Sequence, residues 1–314
     1  MEKKYRAGLI GVGSIAHIAH LPILAARNDV EMAGAFAEHI GSVQLTQKSY
    51  AIQHAVHNMD ELLSLGLDCA FVLSPKTVHA EQVIRLLEAG VDVFCEKPMG
   101  MTLKEAYDMA DASARTSRKL MIAFNRRYAP VYRKAKEIYG QISPDVLIAQ
   151  KNRPASEYRA TLENAIHMVD ILRYFCGECI KVGACSKFTD PLYETLTTAQ
   201  LQFENGSVAM LVANRASGQW VETLEMHGHN KSVLVNCPDS ITVTDAEQSH
   251  TTSMTPLAYG WAKVIDKMGF TQEVDHFFDC LAHDKEPLTN GADAYKTQEL
   301  MHRILTAAGL PGLE

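Results

Sequence analysis

The sequence lacks the long apolar runs of a membrane protein, the cysteine framework of a small secreted domain and the basic excess of a nucleic-acid-binding protein. Its longest apolar stretches, such as Cys69–Leu73 and Leu120–Phe124, fall far short of the roughly 20 residues that a membrane helix needs. The 30 Lys and Arg residues against 37 Asp and Glu give a net charge of −7 without a basic stripe, which argues against a nucleic-acid partner. Residues 1–6 are charged and lead straight into a strand pattern without a signal-peptide apolar region, so we expect a cytoplasmic protein with no membrane partner.

The seven cysteines are too few and too irregularly spaced for a disulfide scaffold, and their odd number leaves at least one thiol outside any pairing. Cys176 and Cys179 form the only close pair, with CxxC spacing. No second CxxC and no His pair follows at zinc-finger distance. We therefore interpret the pair as reduced and buried, and we predict no metal site.

The length of 314 residues suggests two domains, at about 150 residues per domain. Up to residue 124, short apolar runs alternate with helical patterns such as Val78–Ala89 and Leu103–Thr116, which is typical of a doubly wound parallel sheet. The predicted strands of this half are Ala7–Val12, Glu31–Phe36, Asp68–Leu73, Val91–Cys95 and Leu120–Ala123. The first domain, residues 1–124, is therefore predicted to be α/β.

The pattern changes to α+β over residues 125–314. Asn205-Gly206 joins two apolar alternations and is the strongest hairpin signal of the chain. The predicted strands are Val146–Gln150, Lys181–Lys187, Leu196–Phe203, Ser207–Ala213, Thr223–His227, Ser232–Val235 and Ile241–Thr244. The predicted helices are Tyr128–Tyr139, Leu162–Phe175, Thr271–Ala282 and Ala292–Leu310. These elements indicate an open, mostly antiparallel sheet that helices cover on one face.

A glycine-rich turn follows the first predicted strand. Gly11, Gly13 and Ala16 fit G-x-G-x-x-A, a variant of the dinucleotide-binding fingerprint. The first glycine allows a tight turn, the second lets the backbone approach a diphosphate, and the small residue lets the helix pack closely on the strand. The N-terminus of that helix favours phosphate groups. The alternative is a turn between strand and helix that binds no nucleotide.

The residues after the second strand bear on the choice between NAD and NADP. An NAD enzyme usually places a carboxylate at or next to this strand end, where it holds the ribose 2′-hydroxyl. Glu38 fits that role, while Ala37 occupies the more usual position of the carboxylate. A 2′-phosphate needs a basic or small hydroxyl neighbour, and only His39 and Ser42 are present. The sequence leaves both cofactors open and slightly favours NAD.

Lys97 lies in Glu96-Lys97-Pro98, directly after the strand Val91–Cys95. Ligands of an open parallel sheet bind beyond the carboxyl ends of its strands, so Lys97 is a candidate to face a cofactor or substrate. The alternative is an ordinary solvated lysine in a loop.

Glu163, His167 and Asp170 are spaced i, i+4 and i+7, so they share one face of a predicted helix. A carboxylate can orient and tune a neighbouring histidine, which suits proton transfer. The alternative is a polar face that is simply solvated.

Taken together, five ordered motifs closely resemble the Gfo/Idh/MocA oxidoreductases, and within them the MviM-like subgroup. The motifs are Gly11-x-Gly13-x-x-Ala16, Ser74-Pro75-Lys76-Thr77-Val78-His79, Glu96-Lys97-Pro98, Arg127-Tyr128 and His167-x-x-Asp170. The subgroup likeness rests on residues 124–130 and on His167-Met168-Val169-Asp170. The resemblance extends over nearly the whole chain, including residues 203–206 and 273–277.

The resemblance implies a Rossmann domain over residues 1–124 and a substrate-binding and oligomerisation domain over residues 125–314, with a homodimer or homotetramer as the assembly. It implies hydride transfer between a nicotinamide, of NAD or NADP, and a secondary hydroxyl or carbonyl of a sugar, polyol or related small molecule. By similarity, the catalytic set is Lys97, His167, Glu163 and Asp170, in which Lys97 and His167 are the candidates that handle the proton. The residues implied in cofactor binding are Gly11, Gly13, Ser14, Ile15, Ala16, Ala37, Glu38, Ser74, Pro75, His79, Glu96 and Lys97.

Two positions depart from the family pattern. Glu163 stands where the family often has an aspartate, four residues before the histidine, and Ala165 stands where a glycine is common. The longer acid either reaches the same proton or crowds the substrate. Two other functions therefore stay open: a sensor or regulator that binds NAD(P) without catalysis, and a glycosidase that uses a tightly bound NAD transiently. The guesses for substrate recognition are Arg153, Tyr158, Arg159 and Trp220.

Overall fold

The computed structural model describes residues 4–154, 160–188, 194–254 and 263–313, and the chain divides into two compact units. Unit 1 contains Met1–Ala123 and Phe270–Tyr295, and unit 2 contains Phe124–Gly269 and Lys296–Glu314. The predicted division into residues 1–124 and 125–314 stays a prediction, and the compact units differ from it because Phe270–Tyr295 counts with unit 1.

A six-stranded parallel sheet forms the centre of unit 1. Its strands are β1 (Tyr5–Ile10), β2 (Val30–Phe36), β3 (His54–Ala55), β4 (Cys69–Val72), β5 (Asp92–Cys95) and β6 (Leu120–Ile122). They lie in the order β3-β2-β1-β4-β5-β6, with every neighbouring pair parallel. This is the predicted doubly wound architecture, in which the chain leaves β1 in both directions and opens a crevice at the carboxyl ends of the strands.

An eight-stranded sheet forms the centre of unit 2. Its strands are β7 (Val146–Asn152), β8 (Cys179–Phe188), β9 (Glu194–Phe203), β10 (Val208–Asn214), β11 (Val221–Gly228), β12 (Lys231–Asn236), β13 (Ser240–Asp245) and β14 (Gln248–Ser253). Their order is β14-β13-β12-β11-β7-β10-β9-β8. The β7–β10 pair is parallel and the other neighbours are antiparallel, which confirms the prediction of a mostly antiparallel sheet.

The described residues contain ten α-helices. They are α1 (Leu21–Ala25), α2 (Ile40–Tyr50), α3 (Met59–Leu63), α4 (His79–Glu88), α5 (Leu103–Thr116), α6 (Pro130–Tyr139), α7 (Ile166–Cys176), α8 (Val264–Lys267), α9 (Phe270–His283) and α10 (Gly291–Ala307). Two π-helical turns, Ala16–His20 and Ala160–Ala165, lead into α1 and α7. Short 3-10 turns occupy Lys76–Val78 and Asn125–Tyr128.

Local sequence signals explain where these elements begin and end. Helix α5 has the bounds that the sequence predicts, because Thr102 and Glu105 form a reciprocal capping box at its start. The Asn205-Gly206 link forms the predicted hairpin, with Gly206 at φ +89° and its N–H donating to the Phe203 carbonyl at 3.0 Å. Two strands were not predicted: β3, which has only two residues, and β14, whose six residues are all exposed and carry no apolar alternation.

Aromatic packing explains why Phe270–Tyr295 belongs to unit 1. Helix α9 places the Phe277 ring 5.7 Å from both Phe71 of β4 and Phe94 of β5, in edge-to-face contact. The Thr289 hydroxyl donates to the Ile122 carbonyl at 2.7 Å, and the Ile122 N–H donates to the Thr289 carbonyl at 2.9 Å, at the end of β6. The sequence predicts helix α9 but gives no sign of which sheet it covers.

None of the helices in the described residues combines the length and the apolar character that crossing a lipid bilayer requires.

Candidate functional site

Gly11 makes the turn that follows β1. Its N–H donates to the Phe36 carbonyl at the end of β2 at 2.8 Å, and its φ is +91°, in the region that favours glycine. A Cβ at this position would lie 2.6 Å from the Ser74 nitrogen and 2.7 Å from the Leu73 carbonyl oxygen. Both obstacles are backbone atoms at the end of β4, so no side chain other than hydrogen fits here.

Gly13 differs from Gly11, because the space where a Cβ would stand holds no heavy atom within 4 Å. The residue is exposed, and its carbonyl accepts from the His17 N–H at 3.2 Å in the first turn of the helical segment that starts at Ser14. The first N–H groups of a helix have no partner within the helix and attract anions. Open space beside such N–H groups fits a diphosphate, so the residues of this turn fit a dinucleotide.

The neighbouring predicted residues take the expected places on this edge of the sheet. Ser14 is exposed and Ile15 half-buried, whereas Ala16 is fully buried, as close packing of the helix on the sheet requires. Ala37 and the exposed Glu38 follow the carboxyl end of β2. An acidic side chain is therefore available at the edge where a ribose would bind.

His79 joins the loops that follow β4 and β5. Its Nδ1 lies 3.0 Å from the Pro98 carbonyl oxygen and its Nε2 lies 3.0 Å from the Ser74 carbonyl oxygen. The ring is 1% exposed, and burial lowers the pKa of His79 despite these two hydrogen-bonding carbonyls. Ser74 donates from Oγ to Gln82 Oε1 at 2.6 Å, and Pro75 begins the 3-10 turn. His79 thus connects the two loops through its ring nitrogens, and its contact with a cofactor stays a prediction.

Glu96 and Lys97 follow β5 at the same edge. Glu96 is 7% exposed, and its carboxylate accepts from His20 Nε2 at 2.8 Å and from the Lys97 N–H at 3.2 Å. Burial by itself raises the pKa of Glu96, but the hydrogen bond from His20, with the charge and the N–H of Lys97, brings the pKa below its ordinary value. Lys97 is half-buried and joined to Pro98 by a cis peptide bond. Glu96 is consequently an ionised carboxylate beside the lysine.

In unit 2, the predicted histidine helix consists of the π-helical turn with Glu163 and helix α7 with His167 and Asp170. Glu163 is half-buried, whereas His167 and Asp170 are buried. The whole stretch Ile166–Arg173 is buried, so the alternative of a solvated polar face is wrong for these two residues. Lys97 belongs to unit 1 and His167 to unit 2.

Asp170 has partners that the sequence analysis did not foresee. Both of its oxygens accept from Arg127, at 2.8 Å from Nε and 2.6 Å from Nη2, and Thr297 donates a further hydrogen bond at 3.1 Å. A bidentate pair of this kind is among the strongest polar contacts in proteins, and it fixes α7 to the 3-10 turn that carries Arg127. That Asp170 holds His167 stays a prediction.

A buried charge cluster on the helix-covered face of the second sheet was also missed. Glu222 accepts from Arg126 in a bidentate pair, at 2.7 and 2.9 Å, and from Lys151 and the Tyr132 hydroxyl. Because Arg126 already neutralises Glu222, Lys151 is the surplus cation, and burial together with the Arg126 charge lowers the pKa of Lys151 to about 7. A sequence signal existed, since Glu222 lies on the same buried face of β11 as the core residues Leu224 and Met226, two and four residues further along the strand.

His20, in unit 1, was not predicted as a site residue either. The helical stretch after the glycine turn buries Ala16, Ala19, His20, Ile23 and Leu24, which follow the i, i+3, i+4, i+7, i+8 spacing of one apolar face. A histidine on such a face is the signal that could have drawn attention to it.

Two of the four residues guessed to recognise the substrate can be placed. Arg153 is half-buried, with its guanidinium carbon 4.7 Å from the centroid of the Trp220 ring, and Trp220 is 52% exposed. Lys151 Nζ lies 5.7 Å from the same ring. Tyr158 and Arg159 lie outside the described residues.

The seven cysteines all lie in the described part of the chain and form no disulfide bonds there, and Cys176 and Cys179 are buried as expected. Burial raises the pKa of Cys176 to about 12, which disfavours the reactive thiolate. In the described ranges, no three or more His, Cys, Asp or Glu side chains form a group that could hold a metal ion.

A parallel six-stranded sheet with a glycine turn open to a diphosphate defines an α/β protein of the dinucleotide-binding class. Comparison with protein families agrees. A family model described as "Oxidoreductase family, NAD-binding Rossmann fold" matches residues 5–124, and its partner, "Oxidoreductase family, C-terminal alpha/beta domain", matches residues 152–309. The chain belongs to the Gfo/Idh/MocA oxidoreductase family.

Individual relatives are similar over nearly their whole length. The chain is 26% identical to the YceM protein of Salmonella typhimurium over 312 residues, covering 95% of this chain and 96% of the relative. It is 20% identical to scyllo-inositol 2-dehydrogenase (NAD(+)) of Bacillus subtilis over 319 residues, covering 94% and 91%. Among solved structures, the dehydrogenase MviM of Clostridium difficile has a TM-score of 0.88 at 24% identity, covering 97% of this chain and 100% of that structure. This last likeness shows the shared fold.

Proposed function

We propose that this protein is an NAD(P)-dependent oxidoreductase that transfers hydride between the nicotinamide and a secondary hydroxyl or carbonyl group of a sugar, polyol or related small molecule. The observation that carries the proposal is the contrast between Gly11, where the backbone excludes any Cβ, and Gly13, where the same atom meets nothing. That contrast is what a turn shaped to receive a diphosphate requires. Membership of an oxidoreductase family supports the reaction class.

The residues proposed to hold the cofactor lie at the carboxyl edge of the first sheet. Gly11, Gly13, Ser14 and Ile15 would bind the diphosphate, and Ala16 lets the helix approach it. Ala37 and Glu38 would border the adenosine ribose. Ser74, Pro75 and His79 would lie along the dinucleotide, and Glu96 and Lys97 would border the nicotinamide.

The exposed Glu38 supports NAD rather than NADP. A carboxylate accepts hydrogen bonds from a ribose 2′-hydroxyl and repels a 2′-phosphate. We propose that NAD is preferred, and that Glu38→Arg shifts the preference toward NADP by removing this repulsion.

The bound nicotinamide supplies the hydride acceptor when the substrate is an alcohol. The chain itself must take the hydroxyl proton, and Lys97 and His167 are the proposed groups, in the catalytic set with Glu163 and Asp170. A positioned acid–base group contributes about 10²–10⁴-fold in rate. Lys97→Ala and His167→Ala should each lose activity on that scale while the protein still binds nucleotide.

A polyol or sugar is the proposed substrate class, supported by the similarity to the scyllo-inositol 2-dehydrogenase of Bacillus subtilis. Arg153 and Trp220 are proposed recognition groups, because an exposed indole and a guanidinium suit a polyhydroxylated ring. We further propose a homodimer or homotetramer. Val146, Met210 and Leu234, 41%, 53% and 43% exposed, lie on the open face of the second sheet and support it. Light scattering after size-exclusion chromatography tests the assembly.

The first experiment is a fluorescence titration of the purified protein with NADH and NADPH. Binding of one cofactor identifies it, and turnover is then measured by nicotinamide absorbance with scyllo-inositol, myo-inositol and a panel of aldoses. Binding with no turnover on any polyol would favour the NAD(P)-binding regulator. If the protein purifies with bound cofactor and hydrolyses a glycoside without a net change in nicotinamide absorbance, the glycosidase is favoured. Absence of binding, with no nucleotide already bound, would overturn the proposal.

A further inference from the structure

His20 is a fully buried histidine in the core of unit 1. Its ring packs against three aromatic rings, with centroids 5.3 Å from Phe94, 5.9 Å from Phe270 and 6.3 Å from Phe71. The surroundings are those of a phenylalanine or leucine, yet the sequence places an imidazole there. A polar ring in such a pocket destabilises the fold unless its hydrogen bonds are made.

Only one of the two ring nitrogens has a partner. Nε2 lies 2.8 Å from Glu96 Oε1, and because a carboxylate accepts, Nε2 carries the hydrogen. Nδ1 is buried and has no hydrogen-bond partner in the described part of the chain. Packing alone does not explain this residue, since an apolar ring of similar shape would leave no nitrogen unsatisfied. What the imidazole adds is the single donor that it presents to Glu96.

Glu96 connects this donor to Lys97. Its second oxygen, Oε2, accepts from the backbone N–H of Lys97 at 3.2 Å. Among the residues that the structure describes, the charged or titratable groups that interact with Glu96 are His20 from the helical segment, Cys95 and Lys97 from its own strand end, and His79 from α4. His20 makes the one side-chain hydrogen bond among them that favours the ionised carboxylate. Without this hydrogen bond, the pKa of Glu96 should be higher, because burial raises it and one of the contacts that lower it is gone.

We propose that His20 is a positioning residue for Lys97: it fixes the Glu96 carboxylate in one orientation and in its ionised form, and Glu96 in turn sets the backbone position and the electrostatic environment of Lys97. His20 lies in the same helical segment as the glycine turn, between Gly13 and the end of α1. The contact therefore ties the proposed diphosphate-binding helix to the proposed nicotinamide edge. The inference rests on the proposed function, in which Lys97 handles the proton.

Three substitutions at His20 separate the donor from the packing. His20→Phe keeps an aromatic ring in the aromatic pocket and removes the donor. His20→Gln places an amide nitrogen near the position of Nε2, so it should restore the hydrogen bond, whereas the shorter His20→Asn should not. His17→Phe serves as the matched control, because His17 is exposed on the same helical turn and has no assigned role.

We expect the affinity of His20→Phe for NADH to stay within about twofold of that of the unmodified protein. In turnover assays its kcat should be lower by about 10–100-fold, because small displacements of a reacting group have effects of this size. The acid side of the kcat/KM pH profile should move to higher pH, because burial favours the protonated form of a Glu96 that has lost its donor. His20→Gln should recover most of kcat and the original profile. Unchanged kcat and pH profile in His20→Phe would overturn the proposal, as would equal loss in the Gln and Asn variants.

A second measurement needs no substrate. Reductive methylation with ¹³C-formaldehyde labels the lysines, and Lys97→Arg identifies the Lys97 resonance. In His20→Phe the step that this resonance shows as Glu96 titrates nearby should lie at higher pH than in the unmodified protein and in His17→Phe. The same titration in all three proteins would refute the role of His20. Failure of NADH binding in the unmodified protein would instead refute the proposed function, so the two failures are distinguishable. Should His20→Phe not fold, the comparison of the Gln and Asn variants decides.

Discussion

Adding one methyl group at Gly11 and, separately, at Gly13 perturbs the two halves of the proposed diphosphate turn in opposite ways. At Gly11 the new Cβ would stand 2.6 Å from the Ser74 nitrogen, a backbone atom that cannot rotate away. At Gly13 the new Cβ would meet no heavy atom within 4 Å. Gly11→Ala should therefore damage the fold of unit 1, whereas Gly13→Ala should damage only the binding of a ligand that approaches the turn.

The magnitudes follow from these distances and from the backbone angle. The φ of +91° at Gly11 disfavours alanine by about 1–2 kcal/mol, and the forced backbone shift adds about 1–3 kcal/mol. The sum, about 2–5 kcal/mol, corresponds to a fall in melting temperature of roughly 4–20 °C at about 2–4 °C per kcal/mol. Gly13→Ala should change the free energy of unfolding by less than about 0.5 kcal/mol. Its affinity for NADH should fall by at least about tenfold, because the methyl group occupies the space beside the phosphate-binding N–H groups.

Thermal melts followed by circular dichroism measure the first effect, and fluorescence titration with NADH measures the second. Each variant is the control for the other, since they differ only in which glycine carries the methyl group. Unaltered NADH affinity in a folded Gly13→Ala protein would refute the assignment of this turn to the diphosphate. An unaltered melting temperature in Gly11→Ala would refute the steric argument.

Three further predictions concern buried charges in unit 2. Glu222→Gln should lower the free energy of unfolding by about 3–5 kcal/mol in urea denaturation, because Arg126 and Lys151 lose their shared counter-charge. Lys151→Met should lower it clearly less, because Arg126 keeps its bidentate pair with Glu222. Equal losses in the two variants would contradict this prediction. The pKa of Lys151 is lowered from 10.5 to about 7, so the unfolded chain binds more protons between those values, and stability should rise with pH across that window. Lys151→Met should flatten this rise, and an identical slope in both proteins would count against the lowered pKa. Asp170→Asn should lower the melting temperature by weakening the bidentate contact with Arg127, and a melting temperature equal to that of the unmodified protein would argue against that contact.

The α/β character of the first half, its parallel sheet and the mostly antiparallel second sheet could be predicted from the sequence because each depends on local signals. Apolar periodicity marks the strands, and a cap such as Thr102 marks where a helix starts. The proposed cofactor residues could be predicted for a related reason. In a parallel sheet all carboxyl ends meet at one edge, so Gly11, Glu38 and Lys97 are brought to that edge by topology alone.

The sequence by itself thus determined the fold class and the edge of the sheet that holds the proposed cofactor site. Only the tertiary structure decided the partners of the buried polar groups. His20 meets Glu96 across 76 residues, Arg127 meets Asp170 across 43, and Glu222 is reached by Arg126 across 96. The physical reason is that periodicity reports whether a side chain faces inward, whereas the choice of a hydrogen-bond partner depends on which elements pack together. That packing is set by the whole chain, including the return of Phe270–Tyr295 to unit 1.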